Sequence, residues 1–144
     1  MEIRVTAYAK INLTLDVLGM RPDGYHQIES VMQSVNLRDV VTVRQSGTGI
    51  AVRCTRPGVP GDQSNTAVKA AKAFFKAASL PEEGLVIEIQ KGIPLEAGLA
   101  GGSADAAAVL LALNRMYGGA LTAEQLSLAA LQVGADVPFC LVGG

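Results

Sequence analysis

Residues 6–19 read TAYAKINLTLDVLG, and their alternation constrains the fold more than any other stretch of the chain. Ala7, Ala9, Ile11, Leu13, Leu15 and Val17 fall on one side of an extended backbone, and Tyr8, Lys10, Asn12, Thr14 and Asp16 on the other. A period of two over this length is that of a strand with one buried face. Such a strand does not stand alone; it needs paired neighbours and a layer over its apolar side. Its second side opens with a tyrosine, a lysine and an asparagine in register. That side is either simply solvated or the floor of a site that handles a charged group.

The rest of the chain supplies the neighbours and the layer. Pro22-Asp23-Gly24 signals a turn after the first strand. In HQIESVMQSVNL, residues 26–37, the positions Ile28, Val31, Met32 and Val35 fit a helical stripe, while Val31, Val35 and Leu37 fit a strand face. The excess of β-branched and small polar residues favours the strand. DVVTVRQ and IAVRC read as two further short strands parted by Gly47-Thr48-Gly49, as in a hairpin, and RPGVPGDQ reads as a loop. A helix capped by Ser64 or Asn65 follows, with Val68, Ala71, Phe75 and Ala78 on one face and a solvated face of Lys69, Lys72 and Lys76. LVIEIQK is a strand, a long helix follows the glycine-rich segment, and a last helix runs from Thr122 to about Val133 with Thr122 as its cap and Glu124 in its first turn. Strands first, then strand and helix mixed, define an α+β fold: a mixed β-sheet with helices packed on one face. The closing VPFCLV before Gly143 and Gly144 reads as the start of another element, so residues 1–144 are expected to be one domain at the front of a longer protein.

Composition narrows the function classes. An apolar content of 49% over 144 residues is enough for one closed core. A net charge of −1, from 12 basic and 13 acidic residues, excludes a general electrostatic attraction to nucleic acid or to an anionic membrane. Phosphate binding, if present, is therefore local. No apolar run approaches the roughly 20 residues of a membrane span, and MEIRVTAYAK has neither the basic start nor the apolar core of a signal peptide. A cytoplasmic protein is expected. With one histidine and two distant cysteines, Cys54 and Cys140, a zinc site has no support and reduced thiols are expected.

GLAGGSADAAA, residues 98–108, is the strongest local signal. Gly98, Gly101 and Gly102 allow close backbone approach and bare N–H groups, and Ser103 opens a helix of small residues whose first turn and dipole favour an anion. The segment is either a phosphate cradle or a loop running into a tightly packed helix of alanines. It is not a Walker loop, because no lysine precedes the serine, and it matches neither GxGxxG nor the GxSxG elbow of a serine hydrolase. Asp105 reads as a first-turn carboxylate that complements the helix dipole, not as a metal ligand. Asp136, in GADVPF, is a single carboxylate in apolar sequence: either a functional group with a perturbed environment or a cap ahead of Pro138.

Three segments together carry a resemblance. AYAKINLTLDVLGMRPDGYHQIESVMQSVNLRD, KGIPLEAGLAGGSADAAAVLLALN and GADVPF are similar, in order and spacing, to the 4-diphosphocytidyl-2-C-methylerythritol kinases of the GHMP kinase superfamily. The resemblance implies transfer of phosphate from ATP, with Mg²⁺, to the 2-hydroxyl of a small cytidine diphosphate substrate in the non-mevalonate route to isoprenoids. It implies Lys10 and Asp136 as catalytic residues, and Asn12, Tyr25 and His26 on the substrate, the last two at the cytidine base. Pro94, Leu95, Glu96, Ala97, Gly98, Leu99, Ala100, Gly101, Gly102, Ser103 and Ala104 match the ATP phosphate loop, and Asn65 and Lys91 match positions near the adenosine. Relative to the glycine-richest form of that loop, Ala97, Ala100 and Ala104 replace glycine or serine. No side chain is assigned to a metal. Family members continue into a second domain with a third glycine-rich motif and part of the substrate pocket, so the chain corresponds to the N-terminal, ATP-binding and catalytic domain. Other readings of the same residues are a different GHMP kinase acting on homoserine or mevalonate, or a non-catalytic nucleotide-binding module, since the fold also occurs in ribosomal domains.

Overall fold

The computed structural model describes residues 1–20, 26–55, 65–93 and 101–142, leaving out the side chains of residues 10–36 and of Val142. In chain order the elements are β1 (Glu2–Met20), β2 (His26–Gln45), β3 (Ile50–Cys54), α1 (Thr66–Ala77), β4 (Leu85–Gln90), α2 (Gly101–Met116), α3 (Ala123–Val133) and α4 (Val137–Val142). The strands form one sheet in the order β1-β2-β4-β3, antiparallel except for the parallel pair of β3 and β4.

The period of two does what the sequence requires of it. Ala7 and Ala9 are buried and Tyr8 between them is exposed. On β2 the buried face carries Val41 and Val43, which lie opposite Ile89 and Ile87 of β4. Cross-strand apolar pairs of this kind are what hold two strands in register with one face inward. The outward face is polar: Thr42 lies opposite Glu88, and Arg44 bridges to Glu88 at 2.5 Å and to Glu2 at 3.5 Å.

The helices cover the inward face alone, giving the expected α+β arrangement. α1 buries Ala67, Val68, Ala70, Ala71, Phe74 and Phe75, while Lys69 and Lys76 are exposed and Lys72 reaches Glu82 at 3.2 Å. α2 lies on the sheet with Ala106, Ala107, Val109, Leu110 and Leu113 fully buried. Its alanines bring the helix axis close to the strands, where larger side chains would hold it off. Phe74, Phe75 and Tyr117 close the end of the core, with ring centroids 5.7–5.8 Å apart. The cap of α3 is a full capping box, Thr122 accepting from the Gln125 N–H and Gln125 accepting from the Thr122 N–H.

Two expectations are corrected. The two strands anticipated within residues 26–45 are one, β2, because the ladder with β1 continues through an irregularity in which Tyr8 pairs with Arg38 but Lys10 pairs with Ser34. Two residues on β1 thus span four on β2, and the surplus is taken up as a bulge. Nor do β2 and β3 form a hairpin. β4 lies between them, since its Leu85, Ile87 and Ile89 present a fully buried row that belongs in the sheet interior. β3, half-buried and exposed by turns, is left as an edge. The Pro22-Asp23-Gly24 turn lies outside the described residues.

Truncating Phe74 removes a fully buried ring with two aromatic neighbours. Phe74→Ala is expected to cost about 3–5 kcal/mol, read as a lowered midpoint in urea unfolding, whereas Leu128→Ala on the exposed side of α3 should leave the midpoint within about 0.5 kcal/mol of wild type.

Candidate active site

The first turns of α1 and α2 meet. Asn65 is the N-cap of α1, its side-chain oxygen accepting from the Ala67 N–H at 2.8 Å. The next residue, Thr66, donates its hydroxyl to the Gly102 carbonyl at 2.9 Å. A Cβ on Gly102 would sit 3.3 Å from that hydroxyl, so glycine permits the approach. Two positive helix ends therefore converge beside Ser103 and the buried Ala104, at the C-terminal end of the glycine segment. Both ends carry amides with no intrahelical partner, the donor set that suits a phosphate.

Behind this surface lies a charged cluster almost closed to solvent. The Lys91 ammonium donates to Asp39 at 2.6 Å and to Asp105 at 3.1 Å, and all three side chains are at most 5% exposed. The other oxygen of Asp39 accepts from the N–H groups of Gly92, at 2.7 Å, and Ile93, at 2.8 Å. Burial opposes ionisation of Asp39, but hydrogen bonds from Asp105, Lys91, Ile93 and Gly92 outweigh it and hold the carboxyl below its usual value. Burial, reinforced by the neighbouring Asp39, pushes Asp105 up to about 8 against the pull of Lys91. Burial also works against the charge on Lys91, yet its two carboxylate partners keep it protonated with a raised pKa. At neutral pH the cluster is thus one carboxylate, one ammonium and one carboxylic acid. Asp105 Oδ1 is the one buried side-chain polar atom without a hydrogen-bond partner among the described residues.

On the other side of α2 a cleft of about 180 Å³ opens between β1 and α4, lined by Thr6 and Tyr8, by Ala104 and Ala108, and by Phe139 and Cys140. Asp136, half-buried, stands directly before α4, and its carbonyl accepts from the Cys140 N–H. Lys10 follows Tyr8 by two residues, at the bulge, and Asn12 pairs with Met32 just beyond. His26 lies opposite Met20, at the far end of the β1–β2 ribbon. Tyr25 and the loop positions Pro94, Leu95, Glu96, Ala97, Gly98, Leu99 and Ala100 lie outside the described residues.

Asp105 differs from its sequence reading. It faces inward to Lys91 and is not a first-turn partner of the helix dipole, because the helix begins at Gly101 and its fifth residue points into the protein. Asp39 was not singled out at all. Its signal is parity: it shares the inward register of Val41 and Val43, as Lys91 shares that of Ile87 and Ile89. Opposite charges on the apolar face of adjacent strands have to meet or be expelled.

A helix N-terminus entered from a glycine-rich segment, a second one beside it and a mixed sheet beneath make an α+β domain whose free amides suit an anion. Residues 65–144 match the model of the GHMP kinases N terminal domain, and the chain belongs to that family. Over 143 residues it is 50% identical to a 4-diphosphocytidyl-2-C-methyl-D-erythritol kinase of Thermoanaerobacter sp. (strain X514), with 99% of this chain and 49% of the relative covered. A kinase of the same name from Clostridium botulinum (strain Alaska E43 / Type E3) is 48% identical over 140 residues, covering 97% of this chain and 50% of the relative. A crystal structure of 4-(cytidine 5'-diphospho)-2C-methyl-D-erythritol kinase superposes with a TM-score of 0.78 at 38% identity, over 97% of this chain and 49% of that one. The chain spans about half the length of the curated relatives it matches.

The raised Asp105 makes stability depend on pH in a definite direction. Between its ordinary value of 3.8 and about 8, the unfolded chain releases a proton that the folded chain keeps, so stability falls as pH rises through that window and levels off above it. Asp39 acts oppositely and only in acid, where protonating it below its usual 3.8 removes stability. Comparing urea midpoints at about pH 5 and about pH 8.5, Asp105→Asn should show a smaller decline than wild type; equal declines would contradict the assignment.

Proposed function

We propose that this chain is the nucleotide-binding and catalytic half of an ATP-dependent kinase that phosphorylates the 2-hydroxyl of 4-diphosphocytidyl-2-C-methylerythritol. The observation that carries the reading is the contact between the first turns of α1 and α2, held by the Thr66 hydroxyl on the Gly102 carbonyl, in a chain whose family is that of the GHMP kinases. Residues 1–144 form one domain, and the part of the relatives beyond it supplies the rest of the substrate pocket.

Phosphoryl transfer asks the protein for alignment and for charge opposite the developing negative oxygens, with a base for the attacking hydroxyl. The α2 N-terminus, with Gly101, Gly102 and Ser103, receives the phosphates of ATP. Asn65 and Lys91 act on the adenosine side through the elements they hold, α1 and the end of β4. The donor set here, amides and hydroxyls, fits a phosphate. Among the described residues no three His, Cys, Asp or Glu side chains gather as a metal cage. Mg²⁺ carried by the nucleotide would neutralise phosphate charge when bound.

Asp136 accepts the proton of the attacking hydroxyl, and Lys10 offsets the negative charge that forms. Support comes from the cleft between β1 and α4. Tyr8, two residues before Lys10, lines one wall, and Phe139, three residues after Asp136, lines the other. Asn12 orients the methylerythritol moiety, and Tyr25 and His26 take the cytosine by stacking and hydrogen bonding. The partner is this small molecule, and the compartment is the cytoplasm, where ATP is supplied.

The test is turnover by the chain extended with the C-terminal half of the Thermoanaerobacter relative. Asp136→Asn is expected to lower kcat by about 10²–10⁴-fold, the range for a lost general base, and Lys10→Ala by about 10²-fold or more. Tyr25→Ala should raise KM for the cytidine substrate more than it lowers kcat. Turnover by Asp136→Asn within about threefold of the parent would remove the base assignment.

A further inference from the structure

The chain leaves the described region at Ile93 and re-enters it at Gly101, the two ends of the glycine segment, and both ends are tied to one carboxylate. At the first end Asp39 accepts the consecutive N–H groups of Gly92 and Ile93. The approach needs a glycine: a Cβ on Gly92 would lie 2.1 Å from the Arg38 carbonyl oxygen, a distance no side chain tolerates. At the second end Asp39 acts through the Lys91 ammonium, whose other partner, Asp105, lies one helical turn into α2 from Gly101. Asp39 itself is fully buried on β2, in the middle of the sheet.

We infer that Asp39, Lys91 and Asp105 are positioning residues that fix the separation and orientation of the two ends of the nucleotide-phosphate loop. The inference rests on the kinase reading above and adds to it the device that sets the loop's span. Its physical sense lies in what the cluster does not do. A buried ion triad is a poor source of stability compared with apolar residues of the same volume, and one oxygen of Asp105 is left without a partner among the described residues. Its return is geometric. Three buried polar side chains, bonded through the Lys91 ammonium, join β2, the end of β4 and the start of α2, the elements on either side of the glycine segment. Catalysis by alignment is sensitive to this, since a displacement on the order of 1 Å costs about a hundredfold in rate.

The experiment is calorimetric titration with Mg-ADP of the chain extended with the C-terminal half of the Thermoanaerobacter relative. Asp105→Ala cuts the link to α2 and should weaken binding by roughly tenfold or more, while Asp105→Asn, of the same shape and still able to hydrogen-bond, should recover most of the affinity. Leu113→Ala, a fully buried change in the core of α2, controls for lost stability and should leave the affinity within about twofold under conditions where every variant is folded. Should Asp105→Ala not fold, Asp39→Asn takes its place; it keeps an acceptor for Gly92 and Ile93 but removes the charge that holds Lys91, and the same weakening is expected. Affinity unchanged in the clamp variant, or weakened equally in Leu113→Ala, overturns the positioning role alone. No binding of Mg-ADP by the extended wild-type chain overturns the nucleotide reading itself.

Discussion

Lys91 carries one positive charge into a space that two carboxylates already occupy, and the arrangement of this end of the sheet follows from how that charge is shared. Asp39 keeps its ionised form because the ammonium and two backbone amides converge on it. Asp105 gives up its charge and keeps a proton, since a dry cluster does not hold two anions against one cation. The outcome is a neutral triad joining the centre of the sheet to the start of α2. Around it the fold is conventional: apolar rows on β2 and β4, alanines where α2 lies on the strands, aromatic rings at the end of the core.

The site combines two kinds of positive environment. One is full charge, held deep and already matched by carboxylates. The other is partial charge at the ends of α1 and α2, held by the Thr66 contact and left facing outward. A phosphate bound as proposed would meet the second kind, dipoles and amides already in place. The phosphate site proposed here therefore needs no net positive charge on the chain, which carries −1. The charge is local, not spread over the surface.

Much of this was legible in the residues. The alternation from Thr6 onward specified a strand with Ala7 and Ala9 inward, and Asn65 and Thr122 were readable as caps because side-chain acceptors ahead of an apolar periodic run have few other uses. What failed was long-range pairing. Gly47-Thr48-Gly49 is a sound local turn signal, but nothing local says that β4, some 40 residues further on, takes the place beside β2. The triad was missed for the same reason, as Asp39 and Lys91 each look like surface charges until the strands are set side by side and their shared inward parity is seen.

The most direct test of the central claim is the backbone amide spectrum of the wild-type chain on addition of Mg-ADP. If the converged helix ends receive the phosphates, the largest shifts will fall on Thr66 and on the first turn of α2, Gly101, Gly102, Ser103 and Ala104. Amides of α3 and of the outward sheet face around Arg53 and Glu88 will stay in place. Shifts centred on the outward face, with the two helix ends unmoved, would contradict the account.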